Sequence, residues 1–172
     1  VEAPIVEDKA SFLLAGRRSY IDVLAAPFLP ESLGDTKLNF YDVTLKTNFK
    51  ASEKDQFFLS GYLGRDVFQF GAQAGFNWGN GTGTFRWNHL FNEQLFSNFT
   101  VYYSNYDYQL AFGDDDEDTF DWNARIINLG VKPEFSYYIN PDNVLRFGGQ
   151  SIYYEFQPAN AQALNVGELI DF

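Results

Sequence analysis

The sequence predicts an all-β chain: about seven antiparallel strands that form part of a transmembrane β-barrel. Three observations carry this prediction. Long stretches alternate aromatic or aliphatic residues with polar ones, the period of a strand with one apolar and one wet face. Short polar turns, Ser52-Glu53-Lys54-Asp55, Asn92-Glu93-Gln94 and Asn140-Pro141-Asp142-Asn143, close these stretches at one end, while longer loops rich in Gly or Asp open at the other. Nineteen Phe, eleven Tyr and three Trp in 172 residues coexist with a negative mean hydropathy, so apolar surface is diluted by polar residues at close range. Short turns at one end and long loops at the other are the layout of an outer-membrane barrel.

Each element has its own justification. Residues 1–10, with Pro4 and three acids, read as a linker or strand lead-in. Ser11 to Arg18 is a weakly alternating first strand, and 19–36, holding Pro27 and Pro30, reads as an outer loop with room for a helical turn. From Leu38 to Ala51 the period is clear: Tyr41, Val43, Leu45 and Phe49 oppose Asp42, Thr44, Lys46, Asn48 and Lys50. After the Ser52 turn, Phe57, Leu59 and Leu63 oppose Ser60, Tyr62 and Asp66. Residues 70–83 carry five glycines and the hairpin-prone pair Asn80-Gly81, which predicts a second outer loop.

On the return, Phe85, Trp87 and Phe91 oppose Thr84, Arg86 and Asn88. Past the Asn92 turn, Phe99, Val101 and Tyr103 oppose Asn98, Thr100 and Ser104, and 113–121 forms an acidic outer loop. Ile127, Leu129, Val131, Phe135 and Tyr137 then oppose Asn128, Lys132, Glu134 and Ser136. Beyond the Asn140 turn, Leu145 and Phe147 oppose Arg146 and Gln150 in a strand running to about Phe156; 157–172 is predicted to be a further outer loop.

Periodicity does not say which face points inward. A soluble lipid-binding barrel buries its apolar face, whereas a membrane barrel turns it to lipid. The predicted strands exceed the roughly 9–11 residues needed to cross a bilayer and the ~5–6 typical of soluble strands. Aromatic residues cluster beside every short turn (Phe49, Phe57 and Phe58; Phe91 and Phe96; Tyr137, Tyr138 and Phe147), as an interfacial girdle requires. The wet face carries both signs of charge, as a watered lumen tolerates. Tyr41, Val43, Leu45, Phe49, Phe85, Trp87, Phe99, Val101, Ile127, Leu129, Val131 and Phe135 are therefore expected to face lipid. Asp42, Lys46, Arg65, Asp66, Arg86, Asn88, Lys132, Glu134 and Arg146 are expected to face the lumen.

No apolar run approaches the ~18–20 residues of a spanning helix. The net charge of −11 argues against nucleic acid as a partner. With no cysteine, disulfides and thiolate metal sites are excluded. The chain opens with neither an initiator Met nor a signal peptide, and seven strands do not close a bacterial barrel, which takes an even number. The expectation is an internal stretch of a longer chain, bordered by the rest of its barrel.

Beyond the period, three stretches carry a resemblance: Phe12 to Asp22 (FLLAGRRSYID), Phe40 to Phe68 (FYDVTLKTNFKASEKDQFFLSGYLGRDVF) and Thr84 to Asn98 (TFRWNHLFNEQLFSN). They resemble the barrel of TonB-dependent outer-membrane receptors, closest to the branch with an N-terminal carboxypeptidase-regulatory-like domain. The resemblance implies a 22-stranded barrel with a plug domain that is absent from this chain. It implies import of a siderophore, oligosaccharide or peptide across the outer membrane of a Gram-negative bacterium, driven by TonB. Outer-membrane lipid and a surface lipoprotein are further partners in that family picture. No enzyme activity, cofactor or metal is expected. The alternatives are a passive pore or structural barrel without TonB coupling, and a soluble lipid-binding barrel.

Four local features were candidates for chemistry. The run Asp114, Asp115, Asp116, Glu117 and Asp118 could hold Ca²⁺, yet lacks the central Gly and distal Glu of an EF-hand loop, so it reads as a solvated outer loop. Gly79-Asn80-Gly81-Thr82-Gly83 is followed by a strand, whereas a phosphate-binding loop needs a helix there. His89 is the single histidine and has no partner at metal-site or triad spacing; it reads as an interfacial side chain. Two N-glycosylation patterns, at Asn80 and Asn98, are incidental in a bacterial outer membrane.

Overall fold

The computed structural model describes residues 1–28, 36–71, 74–113, 119–165 and 168–171. Ten strands form one antiparallel sheet: β1 (Glu2–Val6), β2 (Ala10–Arg18), β3 (Lys37–Lys50), β4 (Asp55–Phe70), β5 (Ala74–Leu90), β6 (Leu95–Phe112), β7 (Thr119–Asn140), β8 (Asn143–Gly148), β9 (Ser151–Asn165) and β10 (Glu168–Asp171). Each strand pairs with the next in sequence, except that β8 and β9 lie end to end along the same side of β7. The sheet is therefore nine strands wide and open, with β1 and β10 at its edges.

The central strands run 14, 16, 17, 18 and 22 residues from β3 to β7. Their Phe, Tyr, Val and Thr content suits the pleat. Short turns at 51–54, 91–94 and 141–142 mark one end of the sheet, called lower below. Side chains fix all three turns: Ser52 Oγ accepts from the backbone N–H of Lys54 and Asp55, Asn92 Oδ1 from those of Gln94 and Leu95, and Asn140 Oδ1 from that of Asp142.

Proline accounts for the irregularities. Gly149 donates its N–H to the Pro133 carbonyl at 3.1 Å, but Pro133 has no N–H to return. The ladder breaks there, splitting β8 from β9 although the register either side is unchanged. Pro158 lies where β9 places two residues opposite Ala124, a bulge between Arg125↔Gln157 and Asn123↔Asn160. The β1–β2 register shifts just after Pro4.

Several predicted loops are strands. Residues 70–83 hold a tight connection at Gly71 and then β5, paired from Ala74 onward on both sides. The lead-in at 1–10 contains β1, and 157–172 contains the end of β9 and β10. Strand β7 begins at Thr119, inside the predicted acidic loop. Of the described residues in 19–36, Ile21–Ala25 form a single helical turn, α1, and Ala26–Phe28 a 3₁₀ turn.

The described residues contain no core. The only buried ones are Gly79, Ser97, Ala124 and Gly130, all small. Both faces of the sheet are open, although nearly half the chain is apolar.

Candidate functional site

Directly paired residues of an antiparallel sheet point to the same side, so the register sorts every strand residue onto one of two faces. The front face carries Phe49, Phe57, Trp87 and Phe99 in one row across β3 to β6. The next rows up are Thr47, Leu59, Phe85, Val101 and Val131, then Leu45, Gly61, Gly83, Tyr103 and Leu129, then Val43, Leu63, Gly81, Asn105 and Ile127. All twelve residues predicted to share the apolar face lie on this side. Val43, Phe85 and Leu129 do not meet in a sealed centre; they are 44 %, 42 % and 47 % exposed.

The back face carries Asp42, Lys46, Asp66, Arg86, Asn88, Lys132, Glu134 and Arg146, eight of the nine predicted lumen residues. Arg65 is the exception and a correction. It precedes Asp66, and neighbours on a regular strand face opposite ways, so Arg65 stands on the front. There it pairs laterally with Tyr41 and Gly79.

Polar contacts on the lower back are few and local. Lys132 Nζ is 3.0 Å from Glu134 Oε1, and Arg17 pairs with Asp42. The Arg86 guanidinium lies 5.8 Å from the Phe58 ring centre. Lys132, Glu134, Arg146, Asn98 and Gln150 line a concavity of about 740 Å³. The Oδ1 atoms of Asn80, Asn88 and Asn128 on this face are shielded and have no hydrogen-bond partner among the described residues. The back face thus offers charges of both signs and unmet acceptors to whatever occupies the space before it.

Halfway up the sheet both faces change character, which the sequence reading missed. The row above Val43 on the front is Tyr41, Arg65, Gly79, Asp107 and Arg125, and above it lie Asn39, Val67, Asn77, Gln109 and Asn123. Arg65 donates to Asn77 Oδ1 at 2.7 Å and to Asp107 Oδ2 at 2.6 Å. Asn77 donates to Gln109 at 3.1 Å, Gln109 to Asp121 at 3.2 Å, and Arg125 Nε to Asn105 Oδ1 at 2.7 Å. On the back the same levels turn aromatic: Phe40, Asp66, Trp78 and Tyr108, then Leu38, Phe68, Phe76, Leu110 and Trp122.

The signal for this inversion was present in the sequence. Apolar residues occupy odd positions through Phe99, Val101 and Tyr103, then even positions through Tyr106, Tyr108, Leu110 and Phe112. Such a phase slip usually marks a bulge or a strand end. Here the β5–β6 and β6–β7 registers run through it unbroken, so the faces exchange chemistry instead.

The glycine-rich segment has a structural reason. Gly79, Gly81 and Gly83 alternate with Asn80 and Thr82 at the strand period, all three on the front. A Cβ on Gly79 would come 2.9 Å from Arg65 Nη2, and one on Gly81 3.1 Å from Leu63 Cδ2. The glycines make room for the side chains of β4. No helix follows them, so a phosphate-loop reading has no support.

At the upper back, Ser19 fastens the loop that carries α1. Its N–H donates to the Phe40 carbonyl at 2.8 Å, and its Oγ accepts from the Phe40 N–H at 3.1 Å. Ile21 then faces Leu38, Phe40, Phe68, Phe76 and Trp78 across a concavity of about 390 Å³.

His89 sits on the front beside the lower turns. Its Nδ1 is 2.7 Å from Asp55 Oδ1, which also accepts from Trp87 Nε1 at 3.0 Å, while Ser52 Oγ donates to Asp55 Oδ2 at 2.8 Å. These bonds, that of His89 foremost, hold the Asp55 carboxyl below the ordinary carboxylate range. A hydrolytic triad needs the imidazole between serine and carboxylate. Here the carboxylate is in the middle, so no imidazole is hydrogen-bonded to Ser52 and the cluster is an anchor for Trp87 and His89. Asp114, Asp115, Asp116, Glu117 and Asp118 lie outside the described residues.

Comparison of the chain with protein-family models, with curated proteins and with solved structures finds no match.

Proposed function

We propose that this sheet is part of the wall of an outer-membrane β-barrel, with its front toward lipid and its lower back toward a hydrated interior. The observation that carries this reading is the exposed front band on a sheet with no core. In water, apolar side chains left uncovered over the lower half of a sheet face forgo about 25 cal/mol per Å² of burial, and acyl chains supply that cover. The band fits a bilayer. On β7 it runs from Ile127 to Tyr137, roughly 33 Å at about 3.3 Å per residue; a tilt of ~40–45° reduces this to the ~25 Å apolar height of such barrels. The upper strands then project beyond the bilayer, where the front meets water and turns polar.

The resemblance of Phe12–Asp22, Phe40–Phe68 and Thr84–Asn98 to TonB-dependent receptors extends the proposal to import of a nutrient such as a siderophore, oligosaccharide or peptide. The remainder of the barrel, a plug, TonB and a surface lipoprotein are the partners this reading brings. The chain itself contributes wall and does no covalent chemistry.

These 172 residues hold no cysteine, so an introduced thiol is unique within this stretch, and any cysteine elsewhere in the full-length protein is replaced by serine first. Single cysteines placed at Leu45 or Val131 and at Lys46 or Lys132 in the full-length protein are labelled with an environment-sensitive dye. After reconstitution, brominated lipid should quench the label at 45 and 131 and spare it at 46 and 132. Equal quenching at all four sites, or recovery of the protein without detergent, rules the wall out. Nutrient uptake that persists without TonB would instead assign the barrel as a passive pore.

A further inference from the structure

We propose that the ligand this wall handles is a neutral glycan, which stacks on the aromatic upper back of β5–β7 and passes down to a band of hydroxyl groups beneath. The proposal rests on the wall reading and narrows the nutrient to one chemical class.

The observation that carries it is a field without charge. On the back of β5, β6 and β7, successive rows run from Thr84, Tyr102 and Gly130 up to Ala74, Phe112 and Phe120. No position in these rows holds Asp, Glu, Lys, Arg or His, in a chain that is 20% charged. Charge is not scarce on the same strands. Arg86, Lys132 and Glu134 stand on the back just below, and Asp107, Asp121 and Arg125 on the front at the same heights.

The field changes chemistry with height. Its lower part carries the hydroxyls of Thr82, Thr84, Ser104 and Tyr106, which donate and accept without charge. Its upper part offers rings: Phe76 and Trp122 are each 37% exposed, and Phe112 48%. Two concavities there, of about 390 and 410 Å³, have Phe68 and Phe76 as common walls. At the border on β4, Asp66 pairs laterally with Trp78, and its carboxylate is an acceptor for a pair of hydroxyls.

This chemistry selects the occupant. A charged ligand drawn against the field would lose hydration and meet no counter-charge. A wholly apolar ligand would strip water from the hydroxyl band and return no hydrogen bonds. A sugar matches both parts. Its C–H faces carry the partial positive charge that ring faces attract, and its hydroxyls exchange hydrogen bonds with threonine, serine and tyrosine.

The full-length protein, carried in phosphatidylcholine nanodiscs and fluorescently labelled, is applied to an array of immobilised oligosaccharides, some neutral and some bearing uronic acid or sulfate. The expectation is retention on neutral members, reduced on the order of tenfold by Trp78→Ala or Trp122→Ala. Trp122→Phe, which keeps a ring, should restore most of it, and Trp87→Phe on the front should leave it unchanged. No retention on any neutral member overturns the assignment, as does retention governed by the acidic groups. Neutral binding indifferent to both alanine variants places the glycan elsewhere and overturns it too. Protein quenched at Leu45 and Val131, spared at Lys46 and Lys132, and blind to glycans keeps the wall reading and loses this one; protein that does not insert loses both.

Discussion

The ring of Tyr102 lies flat over Gly130, its direct partner across β6 and β7. A Cβ at position 130 would come within 2.2 Å of the Tyr102 ring, so only glycine lets the tyrosine lie down. The phenol thereby shields the backbone of β7, and its hydroxyl accepts from Gln150 Nε2 at 2.7 Å. Tyr62 makes the same kind of cover over Gly64. An aromatic ring restores the contact surface that a bare strand glycine lacks.

Gly130→Ala should therefore destabilise the protein by about 1–3 kcal/mol, the cost of overpacking a closed contact. Gly149→Ala, where a new Cβ meets nothing within 4 Å, should cost far less. Urea titrations of the refolded full-length protein would compare the two. Equal costs would mean that the tyrosine rotates away freely and contributes no cover.

Acid should loosen the lower edge through Asp55, which stands one row beyond Phe57 and Trp87 at the mouth of its turn, on the lower rim of the sheet. Its folded pKa lies below its unfolded value, chiefly through His89 and then Ser52 and Trp87. Its contribution is thus complete above the usual carboxyl pKa of about 3.9 and disappears as pH falls through the depressed folded value. The stability difference between wild type and Asp55→Asn should be largest at neutral pH and should close in acid. Titration followed by tryptophan fluorescence checks this, and a difference that grows on acidification would contradict it.

The lower half of the sheet was legible because its period and its chemistry agree. Val43, Leu45, Phe99, Val101, Leu129 and Val131 alternate with polar residues, and the strands they imply are present. The upper half was hidden by glycine and by the phase slip. Gly79, Gly81 and Gly83 look like a loop when glycine is counted for its freedom, but their spacing of two is strand spacing. Pro158 looks like a stop, yet a strand accepts proline at a bulge. Arg65 went to the wrong face because its charge was weighed above its parity. What sequence could not supply is the lateral register, and with it the rows that bring Arg65, Asp107 and Arg125 together.

An arginine placed on the lower front should be costly and one on the back should not. Leu45→Arg or Val131→Arg should lose about 2–4 kcal/mol if these positions sit near the bilayer midplane. Lys46→Ser, adjacent in sequence and opposite in facing, should be much milder. Folding titrations in lipid vesicles measure the contrast, and similar costs on both faces would exclude a lipid-facing front.

The inversion makes a sharper demand, because it separates two positions on one face of one strand. Val101 and Ala111 both project from the front of β6; Val101 is flanked by Phe85 and Val131, Ala111 by Gly75 and Asp121. If the strand crosses the bilayer and emerges, Val101→Arg places a guanidinium among acyl chains and should cost about 2–4 kcal/mol. Ala111→Arg places the same group in water beside the Asp121 carboxylate, where an exposed pair contributes about 0–1 kcal/mol. A wall of uniform polarity predicts equal penalties at the two sites, and so does a soluble sheet with one buried face. Vesicle folding titrations of the two variants, side by side, distinguish these outcomes. A penalty at 111 as large as that at 101 would move the membrane boundary above the Arg65 row and remove the physical basis for a polar upper front.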